Sequence, residues 1–167
     1  PSEYDATLPG PVSDDTVSEI IDRIKRSARP VIYAGSAIRY SGAFDTFTSL
    51  VKKMNIPVVT AWNSIDEMTT DDPLYAGRAG IMGDRPGNFA VQNADLVLSL
   101  GCRLSIRQVG YNFTTWARNA YVIANDIDPE ELKKPTLHID MPVCADVKDL
   151  VEKLNAKCDN DKIDVNK

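Results

Sequence analysis

The chain alternates short, mostly apolar runs with longer stretches in which apolar residues recur at helical spacing. Pro30–Ala34, Pro57–Thr60, Leu96–Leu100 and Tyr121–Asn125 are the short runs. A strand with one wet face alternates apolar and polar residues, so runs without alternation predict strands buried on both faces. Thr136–Ile139 reads as a further short strand. Val17, Ile20, Ile21 and Ile24 repeat at i, i+3, i+4 and i+7, which predicts an amphipathic helix ending near Ser27. Ser13 is its expected N-cap, with Asp14 and Asp15 in the first turn, where the helix dipole favours acid. Ala43, Phe47, Leu50, Val51 and Met54 mark one face of a second helix. Pro86 suits the first turn of a third, running to about Asn93. Asp146 opens a last helix with Val147, Leu150, Val151 and Leu154 inward. Strands alternating with helices predict an α/β fold: three layers, doubly wound, around a mostly parallel sheet of about six strands.

Ligands of open α/β sheets bind in the crevice outside the carboxyl ends of the strands. The central run Leu96–Leu100 leads into Gly101-Cys102-Arg103, the first place to look for chemistry. The neighbouring strand ends are Ala34-Gly35, Thr60-Ala61 and Asn125-Asp126. Gly35 to Gly42 is expected to be a strand-to-helix loop, and such a loop can cradle an anion on backbone N–H groups. A nucleotide fingerprint needs three spaced glycines, however, and Ala37 stands in place of the second, so a tight turn is the plainer reading. Gly77, Gly80, Gly83 and Gly87 form a glycine-rich loop flanked by Arg78 and Arg85, which are either phosphate clamps or solvated charges. Arg103 to Asn119, with Arg107, Gly110, Tyr111 and Trp116, reads as long and mostly irregular, and long loops are often functional. Asp126 and Asp128 sit at period two and could accept ribose hydroxyls or bind a metal; capping the helix begun by Pro129 is the simpler role for Asp128. A bound nucleotide would set its phosphates on Gly35-Ser36-Ala37, Arg103 and Arg107, and its ribose on Asp126. In an empty crevice Arg103 is expected to pair with Asp126. His138 is the only histidine, and no Ser or Cys stands in a triad arrangement with it, so its expected role is structural.

Composition narrows the partners. The formal net charge is -5 with no basic cluster, which argues against nucleic acid. No apolar run approaches a membrane span and no signal-peptide pattern is present. Cys102, Cys144 and Cys158 are odd in number and far apart, matching neither a disulfide framework nor a zinc site, so a cytoplasmic location is expected. Residues 1–12 read as a linker, 13–157 as one domain, and 158–167 as a disordered tail or second linker, so that the chain reads as a piece of something longer.

Several pieces, in order, resemble the central domain of thiamine-diphosphate-dependent enzymes, the group of acetolactate synthases, pyruvate and benzoylformate decarboxylases and glyoxylate carboligase. They are Arg29-Pro30-Val31 to Gly35, Gly42-Ala43, Ile56-Pro57-Val58-Val59-Thr60 and Asp72-Pro73-Leu74-Tyr75-Ala76-Gly77. Ala94-Asp95-Leu96 to Gly101-Cys102-Arg103, Asp126-Ile127-Asp128-Pro129-Glu130-Glu131 and Ala145-Asp146-Val147 complete the set. The resemblance implies a Rossmann-like, DHS-like NAD/FAD-binding fold. It also implies a fragment, because the pyrimidine-domain glutamate and the Gly-Asp-Gly…Asn-Asn metal motif of the diphosphate domain are both missing from this sequence. The parent would be a transferase or lyase that decarboxylates a 2-keto acid such as pyruvate. Thiamine diphosphate and Mg²⁺ would sit on its pyrimidine and diphosphate domains, in a homo-dimer or tetramer, and the isolated chain would be inactive.

Some relatives bind FAD or an ADP moiety in this domain, and others leave it empty. The resemblance makes Gly35, Ser36, Ala37, Thr60, Gly80, Gly83, Gly101, Arg103, Arg107, Asp126 and Ile127 the candidate cofactor contacts, with no catalytic or metal-binding residue. The flavin pattern is departed from at Ala37, at Met82 and at Ser105-Ile106, while Arg107 and Gly110 keep it. The alternatives are a stand-alone nucleotide-binding module and an interaction domain with an empty crevice.

Overall fold

The computed structural model describes residues 8–160. Of the expected linker and tail, 1–7 and 161–167 lie outside the described residues. Helix α1 (Asp14–Arg26) begins at Ser13, whose hydroxyl accepts from the Thr16 amide at 3.1 Å, and buries Val17, Ile20, Ile21 and Ile24. The segment before it is docked: Val12 is buried, and its amide donates to Asp149 at 2.7 Å.

Six strands, β1 (Pro30–Ala34), β2 (Val58–Thr60), β3 (Tyr75–Arg78), β4 (Leu96–Leu100), β5 (Tyr121–Asp126) and β6 (Met141–Cys144), form one sheet in the order β3-β2-β1-β4-β5-β6. Every pairing is parallel, with Ile32 opposite Leu98 and Ala34 opposite Leu100 across the centre. The chain winds outward from β1 to β3, returns to β4 beside β1, and winds outward again. The strand order therefore reverses between β1 and β4, and a crevice opens beyond their carboxyl ends.

Both faces of the sheet are dry. Ile32, Leu98 and Ile123 pack with Ile20, Phe47 and Leu150 under α1, α3 (Phe44–Met54) and α7 (Val147–Asn160). On the opposite face Val31, Val97 and Val122 meet Val91 of α4 (Arg85–Asn93) and Trp116. Leu98 and Val97 are 1% and 0% exposed and belong to different faces, as a doubly covered strand requires.

The expected strand at Thr136–Ile139 does not form. Asp140 starts the pairing instead, its amide donating to Val122 O at 3.0 Å and its carboxylate accepting from Val122 N at 2.8 Å. The edge strand is then Met141–Cys144. Pro142 is tolerated there because an edge strand has no outer partner needing its N–H. The glycine-rich segment also holds more order than a loop: Tyr75–Arg78 is the other edge strand, with a register shift opposite Val58 and Val59. The loop after β1 contains a one-turn helix, α2 (Ala37–Tyr40). The segment after β4 contains α5 (Ile106–Val109), a 3₁₀ turn at Phe113–Thr115 and the buried Trp116. Helix α7 continues to Asn160, past the expected end of the domain at 157.

A candidate binding cleft at the switch point

The carboxyl ends of β1, β4, β5 and β6, with the short helices or helix starts that follow β1, β5 and β6, build the cleft. It encloses about 620 Å³ and is lined from the β1 loop by Ser36, Ala37 and Tyr40, and from the β4 loop by Gly101, Cys102 and Arg103. Asn125 to Asp128, Glu131 of α6 (Pro129–Leu132) and Ala145 to Val147 close the other side. That size suits a small-molecule ligand.

The cleft thus brings together Ser36, Ala37, Gly101, Arg103, Asp126 and Ile127 of the expected contacts. The others lie elsewhere. Thr60 is fully buried, with its hydroxyl 3.2 Å from that of Tyr75. An added Cβ on Gly80 would meet Arg107 O at 2.3 Å, and one on Gly83 would meet Arg78 O at 2.6 Å, so both glycines serve backbone packing. Arg107 lies over the Trp62 ring at 5.3 Å. Arg78 faces Asp84 at 3.7 Å and Arg85 lies over Phe89, so neither clamps the cleft. Asn125, at an expected strand end, lines the cleft too, and Glu131 and Asp146 join it although no local signal marks them as lining residues.

Four amides of the β1 loop are already engaged. The Gly35 amide donates to Leu100 O at 3.0 Å and the Ala37 amide to Gly101 O at 3.4 Å. The Ile38 and Arg39 amides turn back to Gly35 O and Ser36 O. Gly35 permits contact between the two loops, since a Cβ there would lie 2.2 Å from Gly101 O. An anion cradle needs free, convergent amides, and here those of Gly35 and Ala37 are spent on the end of β4 and those of Ile38 and Arg39 within the loop.

The charge of the cleft is acidic. Asp126, Asp128, Glu131 and Asp146 line it against one lining cation, Arg103. Arg103 does not pair with Asp126 as expected; its Nε donates to Glu131 at 2.7 Å, because α6 places that carboxylate nearer. Asp128 caps α6, accepting from Glu130 N at 2.9 Å. Burial pushes the Asp126 carboxyl up, and Glu131 adds to the rise. Cys102 is buried and its thiol is pushed up to about 12, chiefly by burial, so it is no nucleophile at neutral pH. His138 Nε2 lies 2.9 Å from Asp140 on the surface, remote from the cleft lining.

These observations test FAD and ADP against the site. Four lining carboxylates, one cation already paired and two engaged amides do not fit a diphosphate. Among the described residues no group of three or more His, Cys, Asp or Glu is arranged to hold a metal ion, and no described helix is long and apolar enough to cross a membrane.

Relatives agree with the fold. The chain is 33% identical over 143 residues to the probable acetolactate synthase large subunit of Methanococcus aeolicus, covering 86% of this chain and 24% of that protein. It is 35% identical over 142 residues to the acetolactate synthase large subunit of Lactococcus lactis subsp. lactis, covering 85% of this chain and 24% of the relative. With the probable acetolactate synthase 2, chloroplastic, of Oryza sativa subsp. japonica it shares 36% over 154 residues, 92% of this chain and 22% of the relative. The chain therefore spans about a quarter of the length of these relatives. Residues 17–154 match the family described as thiamine pyrophosphate enzyme, central domain. On that match, which covers the whole doubly wound sheet, the chain belongs to the central-domain family of thiamine pyrophosphate enzymes.

Proposed function

We propose that this domain is the scaffold of an acetolactate-synthase-like enzyme that decarboxylates a 2-keto acid such as pyruvate and transfers the resulting fragment. Thiamine diphosphate, with Mg²⁺, supplies the carbanion chemistry in that reading, held by pyrimidine and diphosphate domains elsewhere in the parent. The observation that carries the reading is the family match over 17–154 in a chain spanning 22–24% of its relatives. The surface supports it. Trp62, Ile65, Ile81, Met82, Ile106 and Tyr111 are large, apolar and exposed, and all lie on segments that follow the carboxyl ends of β2, β3 and β4. A wet apolar rim on one end of a sheet is what a domain docked against neighbours leaves when viewed alone. The parent is a dimer or tetramer in this reading. Thiols at Cys102 and Cys144 that form no disulfide among the described residues suit a reducing compartment, the cytoplasm first.

Two experiments test the reading. The chain, given pyruvate, thiamine diphosphate and Mg²⁺, is expected to turn over nothing, and turnover above background would overturn the scaffold role. Grafted in place of the matching segment of the Lactococcus lactis relative, it is expected to keep that protein folded and able to bind thiamine diphosphate. A soluble graft that no longer binds the cofactor would contradict the proposed equivalence.

A further inference from the structure

The cleft has a chemistry of its own. Asn125 is 1% exposed at its wall. Its amide nitrogen donates to Val143 O at 3.1 Å and Ala145 O at 2.9 Å, which fixes the orientation of the side chain. Its Oδ1 is buried and accepts from no described group. Leaving a buried acceptor empty costs free energy unless a donor arrives. Asp126 and Asp146 flank it, because the Ala145 amide donates to Asp126 O at 3.1 Å and holds the two strand ends side by side. Asp126 Oδ1 accepts from Asp128 N and Asp146 Oδ1 from Lys148 N, which leaves the second oxygen of each carboxylate for a ligand. The dipole of α7, which might be expected to favour an anion here, is already answered by Asp146 at its start.

We propose that the cleft binds a small organic cation, a diamine-sized primary amine, with its ammonium group at Asn125 and Asp126. An ammonium carries three donors and no acceptor, matching a wall of an amide oxygen and carboxylates. The surplus of negative charge selects it over a neutral polyol, and the paired Arg103 leaves nothing to hold a phosphate. This inference is independent of the reaction of the parent.

The test is calorimetric titration of the chain at low salt with 1,4-diaminobutane, with 1,4-butanediol as the uncharged isostere and ADP as the anion. The diamine is expected to bind at a single saturable site, and the diol and ADP are not. Asp126→Asn and Asp146→Asn, which keep an acceptor for the local backbone amide, are each expected to weaken binding about tenfold. Asp71→Asn, on the exposed surface away from the cleft, is expected to leave it unchanged. Equal weakening by all three variants would mean diffuse attraction to an acidic protein and would overturn the site. So would binding of ADP tighter than the diamine, or no saturable diamine binding by the folded chain.

Discussion

Gly35 and Gly101 are pressed together at the ends of β1 and β4, so closely that a Cβ on Gly35 would sit 2.2 Å from Gly101 O and 2.5 Å from Cys102 Cα. The obstacles are backbone atoms, which cannot swing aside. Gly35→Ala is therefore expected to destabilise the domain by about 3 kcal/mol, the upper end for overpacking a close-packed site. Denaturant unfolding checks this, and a loss under about 0.5 kcal/mol would mean the two loops separate freely.

Leu98 tests the centre of the sheet. It is 1% exposed and pairs with Ile32 on one side and Ile123 on the other. Leu98→Ala is expected to cost about 2–5 kcal/mol, from lost transfer energy and the cavity left behind. An unfolding midpoint close to that of the wild type would contradict its central position.

Glu67 makes stability depend on pH. It is 2% exposed, and neither carboxylate oxygen has a hydrogen-bond partner among the described residues. Burial pushes its pKa up from 4.5 to about 7; Arg39 opposes the rise and Asp66 adds to it. A raised carboxyl pKa means that the folded state holds a proton the unfolded state has released. Stability should then fall as pH rises from 4.5 to about 7 and level off above. Glu67→Gln is expected to remove that slope and to stabilise the protein at pH 8 by roughly 1–3 kcal/mol. Thermal melts across the pH range would show it, and parallel profiles for the two proteins would count against a buried, unpartnered Glu67.

Asp95 has the opposite sign. Burial is the largest single influence and works to raise its pKa. It is outweighed by the Ser27 hydroxyl and the Ala28 and Arg29 amides, and the carboxyl ends below its usual range. Its contribution is present above the ordinary carboxylate pKa and is lost as pH falls through the lowered one. Asp95→Ala is expected to cost about 2–3 kcal/mol at neutral pH, with the difference shrinking in acid. A difference that does not change with pH would show that the carboxylate charge plays no part.

Thiol reactivity should follow exposure. Cys144 is exposed, whereas Cys102 and Cys158 are buried. Brief treatment with iodoacetamide is expected to modify Cys144 and to spare Cys102 until the protein unfolds. Peptide mapping would reveal early labelling of Cys102, which would contradict its burial.

The sequence by itself determined the inner strands β1, β2, β4 and β5 and the helices α1, α3, α4 and α7. Each rests on a local signal: an apolar run, a helical period, or a helix-opening residue such as Ser13 or Pro86. It also determined where to look, since the last residues of each inner strand mark the ligand end of such a sheet. Only the tertiary structure decided the edge strands. β3 carries Gly77 and β6 carries Pro142, residues that break a local pattern and are tolerated because each strand is paired on one side. The tertiary structure decided the character of the cleft as well. Arg103 is claimed by Glu131, distant in the chain, the amides of Gly35 and Ala37 by the end of β4, and Asp146 is set beside Asp126 by the pairing of β5 with β6. Charge at a site depends on which distant groups pairing brings within a few ångströms, and hydrophobic period carries no record of that.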